Sequence, residues 1–200
     1  MRIILASQSP RRRELLGQMG FNEFEICPAK GEEMIDPALH PAQLVEELSR
    51  QKAVEVFSQT AQPDALVIAA DTVVSLEDQV MGKPRGEEEA QEMLRLLSGR
   101  IHTVYTGVTI CCGRHQVTEY ESTQVRFRTL TEEEITAYVA TGEPMDKAGA
   151  YGIQGIGSLL VEGIEGDYFN VVGLPVCRLG RMLRDFGVDA LAQCARKERA

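Results

Sequence analysis

The sequence predicts a mixed α/β fold, in which a central twisted sheet of parallel and antiparallel strands is flanked by helices. Strand-like and helix-like segments alternate along most of the chain, which alone would favour a parallel sheet. Residues 102–112 and 116–128 each alternate in side-chain character, and Gly113-Arg114 between them is typical of a hairpin turn. Because a hairpin joins antiparallel strands, a mixed sheet is the better prediction.

The first predicted elements are a short strand and two helices. Residues 2–6 are largely apolar, and Ser9 followed by Pro10 is typical of a helix that begins at Pro10. Residues 41–58 have helical periodicity, and Lys52 lies inside their apolar stripe. A charged side chain in that position either finds a partner or reaches solvent along the helix surface.

The next predicted strand carries the polar pair Asp71-Thr72. Residues 65–70 are continuously apolar, as in a strand covered on both faces, and Asp71 follows them directly. We expect the strand to end there and to present the polar pair at its carboxyl end, although Val73-Val74 could extend it. Because an aspartate at a strand end is often a harmless cap, Asp71 alone is weak support for a site.

Four further segments complete the predicted fold. They are a helix at 87–97 that stops before Gly99, a helix at 131–140 opened by a capping box, a strand at 159–161 and a helix at 175–186. We expect one domain over residues 1–187, followed by a polar tail that frays over residues 188–200.

Composition and charge exclude several function classes. The net charge of −9 disfavours an extended nucleic-acid surface, so a polyphosphate would need a local basic pocket. The apolar runs are far shorter than the ~20 residues of a membrane helix. The five cysteines have no C-x-x-C spacing and indicate reduced thiols. We therefore expect a cytoplasmic protein that binds neither membrane nor nucleic acid.

Three arginines stand in the first turn of the helix predicted to begin at Pro10. Cations are unfavourable at the positive end of a helix dipole unless an anion offsets them, and a helix N-terminus presents free N–H groups. Residues 7–16 therefore favour a phosphate site. A solvated basic face is the alternative, and the spacing alone does not separate the two.

Carboxylates and glycine-rich loops supply the other candidates. Asp71 gains weight from Glu32-Glu33 and from the interior-facing Lys52, because buried charges need partners. Gly82-Lys83-Pro84 and residues 146–155 combine glycine with polar side chains, as where backbone approaches a ligand, though a flexible loop explains glycine equally well. The chain has no Walker, zinc-binding or nucleophile-elbow motif. A hard-cation site made of carboxylates remains.

Four segments together closely resemble the Maf family of nucleoside triphosphate pyrophosphatases. In order and spacing they are Ser7-x-Ser9-Pro10-Arg11-Arg12-x-Glu14-Leu15-Leu16, Ala69-Ala70-Asp71-Thr72-Val73-Val74, Gly82-Lys83-Pro84 and Asp146-Lys147-Ala148-Gly149-Ala150-Tyr151-Gly152-Ile153-Gln154-Gly155. The resemblance spans residues 3–186. It implies a fold like that of inosine triphosphate pyrophosphatases, with two lobes around a deep cleft, cleavage between the α and β phosphates, and a homodimer.

The same resemblance implies roles for individual residues. Asp71 corresponds to the family's proton acceptor, and Glu33, Lys52 and Lys83 complete the catalytic set, although Glu32 could take the place of Glu33. Separately from the resemblance, a triphosphate brings about four negative charges, so we expect Mg²⁺ or Mn²⁺ to accompany it, held by Glu33 and Asp71; whether Asp71 acts as base or as metal ligand stays open. The residues expected to bind substrate are Ser7, Arg11, Arg12, Thr72, Asp146, Lys147 and Gln154.

Three positions separate substrate preferences in the family, and here they are Arg12, Thr72 and Gln154. The set resembles the subgroup that acts on dTTP and UTP. A glutamine amide also matches the carbonyl and N–H edge that uracil and thymine share. Two alternatives stay open: the same reaction on another or a modified nucleotide, and a non-enzymatic regulator of septum formation in cell division.

Overall fold

The computed structural model describes residues 2–32, 34–36, 38–60, 62 and 64–197. Over these residues the chain forms one seven-stranded sheet with helices on both faces. The strands are β1 (Ile3–Leu5), β2 (Glu25–Ile26), β3 (Leu66–Leu76), β4 (Gln79–Met81), β5 (Ile101–Cys112), β6 (His115–Phe127) and β7 (Val161–Glu165). The helices are α1 (Pro10–Gln18), α2 (Pro41–Gln59), α3 (Glu87–Leu97), α4 (Glu132–Ala140), α5 (Tyr168–Val172), α6 (Val176–Arg184) and α7 (Ala190–Lys197).

The sheet is mixed, as predicted. Its strand order is β2-β1-β3-β5-β6-β7, and β4 pairs with the far end of β3. β1 is parallel to both β2 and β3, because α1 and α2 return the chain to the same end of the sheet. Every other pairing is antiparallel, including the predicted hairpin of β5 and β6. The predicted fold class is confirmed.

One face of the long strand β3 contributes to two hydrophobic cores. On this face, Leu66, Ile68 and Ala70 pack in a core with α1 and α6, whereas Val74 and Leu76 pack in a second core with α3 and α4. The opposite face of the strand lies against α2. Because side chains alternate along a strand, one face of β3 packs in the cores of both lobes and the other face packs against α2.

The prediction that this strand stops at Asp71 is wrong. β3 continues to Leu76, since β5 lies beside it in unbroken register from Val67 to Ser75. The open option, an extension through Val73-Val74, is the correct one. Asp71 and Thr72 are therefore half-buried in the middle of an otherwise buried strand, where the two cores meet.

The C-terminal segment differs from the polar tail expected after residue 187. Val188 is buried in the core that contains α1 and α6. α7 follows, and the Cys194 thiol lies so close to Gly20 that a Cβ at Gly20 would overlap its sulfur. The described part of this segment is therefore folded against the C-terminal end of α1. No helix among the described residues is long and apolar enough to cross a membrane.

Candidate active site

The site lies at a gap in the sheet. β1 accompanies β3 only as far as the pair Leu5 and Ile68, and β4 joins the same edge only from Val74 onward. Between these two points no described strand covers that edge of β3. A cleft of about 1140 Å³ opens there, lined from both lobes. Asp71 and Thr72 lie at the centre of the uncovered edge.

The Asp71 side chain points to the α2 face of the sheet and meets Lys52. Gly107 stands directly opposite Asp71 in β5, and a Cβ at Gly107 would overlap the carbonyl oxygen of Val45. The backbone of α2 therefore rests directly on the sheet, which brings Lys52, two turns further along, to the carboxylate. Lys52 Nζ forms an ion pair with Asp71 Oδ1, and the two side chains are 18% and 14% exposed. Lys52 thus has a half-buried partner.

The Thr72 side chain points to the opposite face, where Arg12 meets it. Arg12 donates from Nε to the Gly173 carbonyl at 2.8 Å, and its Nη1 donates to the Ala70 carbonyl at 2.7 Å and to Ser7 Oγ at 3.3 Å. Its Nη2 donates to Thr72 Oγ1 at 2.9 Å. Arg12 thereby satisfies a β3 carbonyl on the edge that β1 leaves open, and its guanidinium is largely occupied by protein acceptors.

Arg11 and Lys147 share the carboxylate of Asp146. Arg11 Nη1 donates to Asp146 Oδ2 at 3.1 Å, and Lys147 Nζ donates to Asp146 Oδ1 at 2.6 Å. Burial raises the pKa of Asp146, but hydrogen bonds from Lys147 and Arg11 outweigh it and hold that pKa below its ordinary value. The three side chains form a charged bridge between α1 and the glycine-rich segment, across the mouth of the cleft.

The segment that carries Gln154 is held by Glu143, a residue that the sequence analysis missed. The Glu143 carboxylate accepts from the Tyr138 hydroxyl at 2.9 Å and from the N–H groups of Ile156 at 2.8 Å and Gly157 at 3.0 Å. Burial raises the pKa of Glu143, but these three hydrogen bonds outweigh it and lower that pKa. Gly155 is required, because a Cβ there would overlap this carboxylate.

The glycine-rich segment is therefore ordered by specific contacts. The Lys147 side chain passes over Gly152 and donates from Nζ to the Glu143 carbonyl at 2.5 Å. Gly149 donates its N–H to the Gly82 carbonyl at 3.0 Å, which ties this segment to the predicted Lys83 segment. The flexible-loop alternative does not fit these contacts.

The remaining predicted site residues differ in their burial and in where they lie relative to the cleft. Lys83 and Gln154 are exposed side chains at its rim. Ser7 is buried and accepts from the Ser9 N–H at 3.2 Å as well as from Arg12, so it shapes the loop before α1. Glu33 lies outside the described residues, and Glu32 is exposed and stands outside the cleft lining.

Tyr151 contributes an aromatic side chain to the wall of the cleft and is backed by buried rings. Its hydroxyl lies 2.8 Å from His102 Nε2. Burial lowers the pKa of His102 to about 4, so the imidazole is neutral at physiological pH. The same cause raises the pKa of Tyr151. Both rings pack edge-on against Phe127, which makes this wall a rigid support.

The cleft offers oxygen donors suited to a hard divalent cation. Among the described residues, no three His, Cys, Asp or Glu side chains come together as a metal cluster. Mg²⁺, however, is commonly bound by one or two carboxylates and completes its shell with substrate phosphate oxygens and water. Asp71, at the floor of a cleft sized for a nucleotide, fits that pattern of ligands.

Comparison with known proteins finds relatives over nearly the whole chain. A dTTP/UTP pyrophosphatase of Agathobacter rectalis is 54% identical over 205 residues, covering 94% of this chain and 98% of its own. One of Bacillus cereus is 52% identical over 188 residues, covering 94% and 97%. A solved HAM1 protein of Coxiella burnetii is 17% identical, with a TM-score of 0.44 over 64% of this chain and 73% of its own, which is too weak to argue from. Residues 2–186 match the family described as Maf-like protein, and the chain belongs to that family.

Proposed function

We propose that this chain hydrolyses dTTP and UTP to the monophosphate and pyrophosphate in the cleft at the open edge of β3. Relatives more than 50% identical over nearly their whole length carry the name dTTP/UTP pyrophosphatase. The single observation that carries the proposal is the Lys52–Asp71 pair, placed at the centre of the sheet gap and facing a cleft with cationic groups from both lobes.

The charges around the cleft support a metal-bound triphosphate as the substrate. Among the described lining residues, five are cationic and five are acidic, so the lining has no net formal charge. The cationic residues are Arg11, Arg12, Lys52, Lys83 and Lys147, and the acidic residues are Asp36, Asp71, Asp78, Glu143 and Asp146. A triphosphate carries about four negative charges, so a divalent cation is needed to offset them.

We place the chemical step at Asp71. Lys52 holds Asp71 Oδ1, and no described residue binds Oδ2, which is positioned to accept a proton from water. The water oxygen forms a new bond to the α-phosphorus as its proton passes to Oδ2. The bond from the α-phosphorus to the bridging oxygen breaks, and its electron pair leaves with pyrophosphate. Positioning and electrostatics provide most of the acceleration in such a step.

Cationic side chains on both lobes would hold the phosphates. Arg11 uses one guanidinium nitrogen for Asp146, and its other N–H groups stay available for a phosphate oxygen. Lys83 is exposed at the opposite rim, and Lys147 is fixed between Glu143 and Asp146. We assign Arg12 to substrate selectivity rather than phosphate binding, because most of its donors already bind protein.

Asp71, together with Glu33, would hold Mg²⁺ or Mn²⁺. When bound, the cation would offset phosphate charge and polarise the phosphoryl group under attack. We also retain a homodimer and a cytoplasmic location as proposals from the family resemblance. Sedimentation of the purified chain would test the first, with a mass near 22.1 kDa contradicting it.

The proposal is tested by measuring pyrophosphate release from a panel of nucleoside triphosphates with Mg²⁺ or Mn²⁺. We expect dTTP and UTP to be turned over in preference to CTP, ATP and GTP. Preference for another base would keep the reaction and remove the base assignment made here. Turnover of none of them would remove the proposal.

A further inference from the structure

The Thr72 hydroxyl belongs to a chain of hydrogen bonds that ends on a backbone carbonyl. Thr106 Oγ1 donates to the Asn170 carbonyl at 3.0 Å. Thr72 Oγ1 lies 2.9 Å from the same Thr106 oxygen. A hydroxyl has one proton, and that of Thr106 is already given to a carbonyl, which cannot donate. Both hydrogen bonds form together only when Thr72 donates its own proton to Thr106.

On its other side Thr72 accepts a hydrogen bond from Arg12. The Arg12 Nη2 donates to Thr72 Oγ1 at 2.9 Å. A hydroxyl oxygen has two lone pairs, so one remains after this bond, and no other described residue binds it. Thr72 is half-buried and lines the cleft. With its own proton given to Thr106, the Thr72 hydroxyl can accept a hydrogen bond from a ligand in the cleft but has no proton to donate.

The carbonyl that accepts the Thr106 proton belongs to a buried residue, Asn170. Asn170 is fully buried, and its Nδ2 donates to the Val104 carbonyl at 3.0 Å and to Thr123 Oγ1 at 2.9 Å. Thr106 is also fully buried. Turning the Thr106 proton away from the Asn170 carbonyl would remove a hydrogen bond in a site shielded from water, which favours the direction that leaves Thr72 as the donor to Thr106.

We infer that Thr106 determines base specificity as a positioning residue, because the complete set of hydrogen bonds commits the Thr72 proton to Thr106 and leaves Thr72 an acceptor towards the cleft. Uracil and thymine present an N–H at ring position 3, which a lone pair on Thr72 would accept. Cytosine has a lone pair at the same ring position, and two lone pairs facing each other repel. The inference rests on the proposed function, and it extends the selectivity site from Thr72 to a residue that does not line the cleft.

The test compares kcat/KM for UTP and for CTP in Thr106→Val, which keeps the side-chain shape and removes the hydroxyl. The Thr72 proton is then released from Thr106 and can point into the cleft. We expect the UTP-over-CTP ratio to fall about tenfold or more, the effect of one hydrogen bond of this kind. Thr106→Ser keeps the hydroxyl and should restore the wild-type ratio.

Thr109→Val is the matched control. Thr109 is equally buried on the same strand, and its hydroxyl pairs with Ser49 at 2.9 Å and Thr118 at 3.0 Å on the other face. The UTP-over-CTP ratio of kcat/KM in Thr109→Val should equal that of the wild type. If Thr106→Val does not fold, Thr106→Ala removes the same hydroxyl and the same expectation applies.

The outcomes separate the two claims. A wild-type protein without UTP turnover would remove the proposed function itself. A wild type that prefers UTP, with a Thr106→Val ratio unchanged or changed equally in Thr109→Val, would overturn the inference alone. A lower ratio in Thr106→Val, restored in Thr106→Ser and absent from the control, would support it.

Discussion

Asp71 and Thr72 are consecutive residues at the midpoint of β3. Their side chains lie on opposite faces of the strand, and these two faces differ in chemistry. Asp71 points to the α2 face and meets the charged side chain of Lys52. Thr72 points to the other face and meets Arg12 and the hydroxyl of Thr106. Because a strand alternates its side chains, consecutive residues serve separate environments on one rigid element. The difference suggests that turnover and base selection are divided between the two faces.

On the α2 face, we expect substitution of Lys52 to lower kcat strongly without changing base preference. Lys52→Met keeps the length of the side chain and removes the cation that orients Asp71. We expect kcat for UTP to fall about 10²-fold or more, as when a positioned charged donor is removed, with the UTP-over-CTP ratio unchanged. Steady-state kinetics on both nucleotides is the measurement.

Arg50→Met is the control for that substitution. Arg50 lies on the same helix and pairs with Glu47 at the surface, away from the cleft. Its variant should keep wild-type kcat. A Lys52→Met variant with normal kcat and altered base preference would reverse the division between the faces.

A comparable effect on stability is expected on the Thr72 face, where His102 is buried. Burial lowers the pKa of His102 from 6.5 to about 4. Between these pH values the unfolded chain binds a proton that the folded chain does not. The free energy of unfolding should therefore fall as the pH drops from 6.5 to 4, by about 3 kcal/mol from this residue.

The measurement is urea unfolding at pH 7 and at pH 4.5, for the wild type and for His102→Gln. The variant has no group that titrates there and should lose less stability between the two pH values. His115→Gln, which changes an exposed histidine, should behave like the wild type. Equal losses in all three proteins would show that His102 is not the cause.

The smallest effect is expected from the residue that holds the glycine-rich segment. Glu143→Gln places an amide N–H₂ against backbone N–H donors and loses one of three hydrogen bonds to the carboxylate. We expect KM for UTP to rise about tenfold while kcat changes little, because the segment that carries Gln154 is loosened.

Glu134→Gln provides the comparison for that variant. Glu134 also accepts hydrogen bonds from Arg128 and from the Thr131 N–H, but it is outside the cleft lining. It should leave KM unchanged. An equal rise in both variants would mean that the effect of Glu143 is general destabilisation.

Local signals in the sequence were enough for most elements of the fold. Pro10 and the capping box at Thr131 set the starts of α1 and α4, and the alternating segments gave the hairpin. The end of β3 was wrong because the polar pair at its midpoint interrupts the apolar run. Only the neighbouring strand β5, distant in sequence, shows that the ladder continues.

The candidate site was predictable as a set of residues but not as an arrangement. Asp71, Lys52 and the cleft cations were named from their residue types and the family resemblance. Glu143 was missed because two of its three hydrogen-bond partners, Ile156 and Gly157, are 13 and 14 residues away. Nothing in the sequence assigns Arg12 to backbone carbonyls, since the two that it binds, those of Ala70 and Gly173, are far from it along the chain.

The central claim is tested most directly by kinetics of Asp71→Asn with UTP and CTP, on protein shown to be folded by circular dichroism. We expect kcat to collapse for both nucleotides and any remaining turnover to keep the wild-type UTP-over-CTP ratio. Near-normal kcat would contradict the assignment of the chemical step to Asp71. A changed ratio would contradict the division between the two faces of β3.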